Sequence, residues 1–456
     1  MKFNKNFIFG VAESDLQTVG ESLARKNERS EESMWMKFCE SKINLKNETP
    51  GIAISRYERT KEDVAILKDS NVKHYRTSIS MSRFLNRQGE INKQAVIWYT
   101  QYLKMIQKAG IKTYVTLYHW ELPQYLMEQG GWLNKKMAEL FAQYAKSVVE
   151  EFGEYIDVYF ILNEPWCSSF LSYFLGIHPP GEKNLNKALQ VAHNLLLTLG
   201  LTVKELKSKN KFIKIGSVFN VSPFYAQSND SKDLLATQYG DGYHNRWFLD
   251  PVYLGKYPED MMDLFGSDLP KFNKSDFELI QCGRKMDFIG INYYSGKTVK
   301  YNKEKRLRFE TVIPEGSLVN DLGWPVSVAP FAQEGLSDVL SKTYYEYKNF
   351  GLRKIYVTEN GYAMKSVWDG KSTVINDENR IFYIREHLKQ MYRAITLGVP
   401  VDGYFLWTLM DNFEWAEGYK PEGAFGLVHI DRKTLERVHK KSFFWYRDII
   451  KTRMLK

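Results

Sequence analysis

The chain has 456 residues, 44% hydrophobic and 26% charged, which is ordinary for a globular protein with a large core. Its net charge is +9 and its pI about 9.0, yet Lys and Arg are dispersed among acids, as in "EDVAILKDSNVKHYR", so the charge reads as a solvated surface and not as a nucleic-acid footprint. Three scattered cysteines, Cys39, Cys167 and Cys282, exclude a disulfide framework and a CxxC zinc site and fit a reducing, cytoplasmic setting, while the N-terminus lacks a signal-peptide pattern and no apolar run reaches the ~18 residues of a membrane span.

Along the chain, short apolar runs alternate with amphipathic segments. Strands are expected at 7–12, 74–80, 112–118, 157–163, 212–218, 287–293, 354–360 and 403–409. Between them, 135–154, 187–209 and 378–398 place apolar residues at helical spacing, and Gly398 is positioned to cap the last. Strands alternating with long helices predict a parallel sheet. Eight such units predict an α/β fold, a closed (β/α)8 TIM barrel, as one domain over residues 1–456. A rule of ~150 residues per domain would allow three domains, but closed barrels routinely exceed it.

In such a barrel, catalytic groups collect where the strands finish. Gln17 follows the first strand and Arg76 lies in the second. His119 and Trp120 follow the third, and Asn163 and Glu164 end the fourth. Asn220 closes the fifth, Asn292 and Tyr294 the sixth, Glu359 the seventh, and Trp407 belongs to the eighth. An isolated glutamate is usually a surface or ion-paired acid. Glu164 in "FILNEPW" and Glu359 in "YVTENGY" instead end apolar runs on opposite sides of the expected barrel. Two carboxylates flanking one bond are what glycoside hydrolysis requires. The 11 Trp and 29 Tyr suit sugar binding too, since pyranose C–H faces lie well on flat rings.

The chain resembles glycoside hydrolase family 1, the β-glucosidase family, over nearly its whole length. The resemblance rests on "FIFGVAESDLQTVG", "YERTKEDVAILKDSNVKHYRTSISMSR", "YVTLYHWELPQYL", "NEPWCSSFLSYFLGIHPPG", "DFIGINYYS", "VTENGYA" and "GYFLWTLMDNFEWAEGY", in the family's order. It implies a retaining double displacement on a small-molecule β-glycoside or oligosaccharide, without metal or organic cofactor. Glu359 matches the nucleophile and Glu164 the acid/base, with carboxyl groups ~5–5.5 Å apart in a retaining site. Arg76 and Tyr294 match the groups that support the nucleophile. Asn163 matches the residue that holds the sugar 2-OH, with Asn292 in the same cluster. Gln17, His119, Trp120, Glu414 and Trp415 resemble a glycone pocket floored by Trp407, and Trp166 an aglycone-side aromatic. Glu414 would repel a 6-phosphate, so the glycone is expected to be non-phosphorylated, glucose first, then galactose or fucose.

The sequence departs from the family pattern at several positions. Met81 stands where tryptophan is usual, Val19 where an acid is common, and Glu13 and Asp15 where small or aromatic residues are common. The loops "GWPVSVAPFAQEGL" and "EGYKPEGAFG" are longer than usual, which bears on the aglycone entrance. Two alternatives are a 6-phospho-β-glucosidase and a non-catalytic glycosidase-like binding protein. A nucleotide-dependent enzyme finds no support, because the chain has no GxGxxG, Walker or HExxH motif.

Overall fold

Eight parallel strands close into a barrel in a computed structural model that describes residues 1–41, 48–326 and 334–455. They are β1 (Ile8–Ala12), β2 (His74–Ser78), β3 (Lys112–Tyr118), β4 (Val158–Asn163), β5 (Ile215–Asn220), β6 (Phe288–Asn292), β7 (Ile355–Glu359) and β8 (Val401–Trp407). Each strand pairs with its sequence neighbours, and β1 pairs with β8 to close the ring. The expected barrel is therefore present. The fifth strand begins three residues later than expected, because Phe212, taken as its apolar start, lies outside it with 80% of its surface exposed. The eighth begins earlier, at Val401.

The strands hold because their two faces meet two different cores. Inward-facing rings of Tyr114, Phe160, Phe288, Tyr356 and Phe405 fill the barrel. Phe160 lies 5.3 Å from Phe288, and Tyr114 lies 5.0 Å from Phe405. Outward-facing residues such as Val115, Ile161, Ile289 and Leu406 join a larger core under the helices. The helices Met137–Phe152, Leu185–Lys209 and Glu378–Thr396 match the expected amphipathic segments, and Gly398 follows the last with φ 90°. Space inside is tight enough that a Cβ on Gly10 would collide with the Phe405 ring.

Two small three-stranded sheets decorate the barrel and have no counterpart in the sequence expectations. One joins Phe224–Ala226, Lys297–Tyr301 and Phe309–Val312; the other joins Val374–Ile375, Val428–Ile430 and Arg437–Lys440. Of the long loop "GWPVSVAPFAQEGL", residues 327–333 lie outside the described residues. Among the described residues, no helix is long and apolar enough to cross a membrane.

The unusual acids near the N-terminus are buried and paired. Glu13 accepts from Arg56 at 2.6 Å and from Tyr75 at 2.8 Å. Arg56 also reaches Asp63, which Arg437 holds at 2.9 Å. Asp15 accepts from Arg83 and Tyr99, each at 2.9 Å, while Glu28 takes the other side of Arg83. Met81 packs in the core with 1% exposure, and Val19 is equally buried. These pairs tie the loop after β1 to β2 and its flanking helices. Replacing Arg56 by Met should leave Glu13 and Asp63 as buried charges short of a partner. The expected loss is about 3–5 kcal/mol in urea unfolding; a loss below ~1 kcal/mol would show that the network is dispensable.

Candidate active site

Register sets the site. The β4–β5 pairing shifts between Phe160 and Asn163, and the β7–β6 pairing shifts between Val357 and Glu359. Such irregularities re-aim side chains at strand ends. Thr358 and Glu359 are thereby both tied to the barrel mouth: Thr358 Oγ1 donates to Asn292 at 2.7 Å, and Glu359 meets Arg76 and Tyr294. Gly361 then passes so close to the Trp407 carbonyl that any Cβ would collide with it.

Arg76 is fully buried above the Phe160 ring, whose centroid lies 5.2 Å from its guanidinium carbon. It donates to Glu359 Oε1 at 2.5 Å, to Asn163 Oδ1 at 2.6 Å and to Thr116 Oγ1 at 3.2 Å. Tyr294 donates its hydroxyl to Glu359 Oε2 at 2.7 Å. Burial, then the charge of Glu359, pushes the Tyr294 phenol well above its ordinary pKa, so it stays a donor. Both oxygens of Glu359 are therefore held, which fixes the carboxylate in place.

Glu164 stands differently. Asn292 Nδ2 donates to its Oε1 at 2.6 Å, and the Cys167 thiol donates to its Oε2 at 2.9 Å. Among the described residues, no arginine forms an ion pair or hydrogen bond with it. Burial, then the charge of Glu359, raises its pKa to about 7, against the two hydrogen bonds and the more distant Arg76. Its backbone sits in the left-handed region at φ 47°. A turn of wide, π-type geometry at Cys167–Leu171 follows and brings Cys167 back beneath it.

Both glutamates open into one cavity of about 360 Å³. His119, Trp120, Trp407, Glu414 and Trp415 form its walls with Tyr294, as the sequence suggests. The His119 ring lies nearly parallel to those of Trp407 and Trp415, at 5.9 and 5.8 Å. Burial, then Arg76, lowers its pKa well below the ordinary value, so the ring is neutral. Asn163 Oδ1 already accepts from Arg76 and Asn292, so its Nδ2 faces His119 Nε2 at 3.3 Å as donor. His119 Nδ1 then carries the proton, and it has no partner among the described residues. Burial, then Glu359 and Glu417, raises the pKa of Glu414 well above its ordinary value. No Lys or Arg lines the cavity among the described residues.

Other expected residues stand behind or beside this cavity. Asn163 and Asn292 are buried beneath it and join Arg76 to Glu164. Gln17 is fully enclosed: it donates to the Phe413 carbonyl at 2.8 Å, and its own carbonyl accepts from Ser14 at 2.6 Å. It braces the turn before Glu414 and does not line the cavity. Trp166 flanks Cys167 and packs on His244 at 4.5 Å. Asn220 approaches Cys167 Sγ at 3.8 Å. Cys167, His178 and Trp324 also line the cavity and were not singled out from sequence. For Cys167 the signal was available, since three residues after a glutamate on a helical turn places a side chain within reach of it.

The chain matches the family model described as Glycosyl hydrolase family 1 over residues 1–455. It is 36% identical to Beta-glucosidase A of Thermotoga maritima, over 99% of this chain and 98% of that protein. It is 34% identical to the Bifunctional beta-D-glucosidase/beta-D-fucosidase of Bifidobacterium breve, over 99% of this chain and 98% of the relative. The crystal structure of the family 1 β-glucosidase from Exiguobacterium antarcticum B7 superposes with a TM-score of 0.92 at 35% identity, covering 99% of both chains. This barrel, with its paired glutamates and unbroken likeness from end to end, belongs to glycosyl hydrolase family 1.

Proposed function

We propose that the chain is a retaining β-glycosidase that acts first on non-phosphorylated β-glucosides, with β-galactosides and β-fucosides as secondary substrates. The observation that carries this is the unequal environment of two carboxylates in one cavity: Glu359 fixed by Arg76 and Tyr294, Glu164 raised to about 7. Two carboxylates held in such different environments take different roles in acid–base chemistry. The naming of a relative for both glucosidase and fucosidase activity supports the wider sugar range.

In the first half-reaction, Glu359 attacks the anomeric carbon and the bond to the aglycone oxygen breaks. Glu164 gives that oxygen its proton, and a glycosyl ester forms on Glu359. In the second, Glu164 takes a proton from water as the water oxygen attacks the same carbon, and the ester bond to Glu359 breaks. Arg76 and Tyr294 hold Glu359 for attack and receive it again as a leaving carboxylate. His119 Nδ1 and Glu414 meet glycone hydroxyls, and Trp407 and Trp415 take the C–H faces. Asn163 and Asn292 keep Glu164 and Arg76 in register beneath the sugar. The acidic, cation-free wall disfavours a 6-phosphate, and two intact carboxylates disfavour a non-catalytic role. The buried free cysteines Cys39 and Cys167 fit a cytoplasmic setting.

A 2-deoxy-2-fluoro-glucoside with a good leaving group should trap a covalent adduct on Glu359, read by peptide mass spectrometry. Labelling at another residue, or product of inverted configuration by NMR, would sink the assignment. Glu164→Gln should lower kcat/KM on cellobiose by ~10²–10⁴ and spare a dinitrophenyl glucoside far more; equal losses would remove the acid role. Protonated Glu164 is the donor, so kcat/KM for a poor leaving group should fall as pH rises through about 7, by tenfold per unit beyond it. The Gln variant should lose that limb. Unmodified aryl β-glucosides should outcompete their 6-phospho forms in specificity constant; the reverse order would favour the phospho-glucosidase alternative.

A further inference from the structure

Thr358 stands immediately before Glu359 at the irregular end of β7 and is fully buried. Its β-branched side chain has little rotamer freedom. A Cβ on Gly290 of β6 would come within 2.7 Å of both its Cγ2 and its Oγ1, so the glycine is what leaves room for them. Oγ1 donates to Asn292 Oδ1 at 2.7 Å, while the Thr358 carbonyl accepts from Arg76 at 3.2 Å.

The other end of the Asn292 amide meets Glu164. Nδ2 donates to Glu164 Oε1 at 2.6 Å and to Asn163 Oδ1 at 3.2 Å. The Asn163 contact is the longer one, and Arg76 already holds that acceptor at 2.6 Å. Among the described residues, Thr358 is the only side chain that donates to Asn292 Oδ1. The two ends of an amide have similar shape and opposite hydrogen-bonding character. With the amide reversed, Thr358 Oγ1 could accept from Nδ2, but its own proton would find no acceptor among the described residues. A buried unpaired donor is penalised, so the hydroxyl keeps the donor end of Asn292 toward Glu164. A hydrogen bond accepted at Oδ1 also strengthens the one donated from Nδ2.

We propose that Thr358 is a positioning residue for the acid/base: its hydroxyl fixes and polarises the Asn292 amide so that Glu164 meets a donor, which favours the ionised carboxylate. This rests on Glu164 being the acid/base. The first half-reaction needs its proton, and the second needs it ionised. One strand end thus serves both carboxylates, Glu359 as its own last residue and Glu164 through a single amide. The charged and titratable groups around Glu164 are Glu359, Glu414, Arg76, Lys297, Cys167 and Tyr294. The Thr358 hydroxyl bonds to none of them, so its removal alters the Asn292 contact and leaves their charges in place.

The test is the basic limb of kcat/KM for an aryl glucoside with a poor leaving group in Thr358→Val, Thr358→Ala and Thr358→Ser. The first keeps the shape without the hydroxyl, the second loses both, and the third keeps the hydroxyl. The Val and Ala variants should hold the Glu164 proton to higher pH. Their limb should move upward by roughly half a pH unit or more, the scale of weakening a hydrogen bond to a charged group. The Ser variant should keep the wild-type limb. A limb unmoved in a folded Val or Ala variant would overturn the proposal. So would an equal shift in all three, because that would trace the effect to packing. Glu164→Gln separates the two readings: a limb that persists there refutes Glu164 as acid/base. A limb lost there but unmoved without the Thr358 hydroxyl refutes the role of Thr358 alone.

Discussion

A fully buried guanidinium in the middle of a barrel is intolerable unless its charge and donors are met. Arg76 meets that condition by drawing on three other strands: Thr116 from β3, Asn163 from β4 and Glu359 from β7. The closed sheet is what brings these residues within reach, since they lie up to 283 positions apart in sequence. Phe160 closes the underside of the charge. The arginine is thus a structural keystone and also the reason Glu359 has one orientation. Removing either partner would leave an unpaired charge in a region that water reaches poorly.

The same constraint explains why two chemically identical side chains take different roles. Glu359 is met on both oxygens, by a cation and by a phenol. Glu164 is met by an amide and a thiol, the second a weak donor. The difference comes from strand position. β7 meets Arg76 through its glutamate, whereas β4 meets it through Asn163 and the Phe160 ring and not through Glu164. Stability and chemistry therefore use one network, and that network cannot be retuned at one end without being felt at the other.

Much of this was legible in the sequence because barrels repeat. The strands announce themselves through inward rings such as Tyr114 and Phe405, and the glutamates by ending apolar runs. Where the apolar pattern misleads, so does the expectation: Phe212 is hydrophobic but exposed, and the fifth strand starts beyond it. The decorating strands, two to five residues long, are too short to show a period. Gln17 follows β1 as the sequence places it, but that Ser14 and Phe413 hydrogen-bond its amide could not be read from its position. The roles of Asp15 and Glu13 depend on Arg83 and Arg56. Such relations are three-dimensional, and spacing along the chain carries no trace of them.

Three residues of the cavity, Trp120, Glu164 and Trp415, hold their backbones at φ 66°, 47° and 47°. For a residue with a Cβ this conformation costs on the order of 1–3 kcal/mol, and glycine would escape most of it. A laboratory selection for heat resistance alone would therefore be drawn to these positions. It would relax the mouth of the barrel while stripping out an acid and two indoles. Durability and turnover compete at the same three peptide units, and the sequence as it stands records which of them has been preferred.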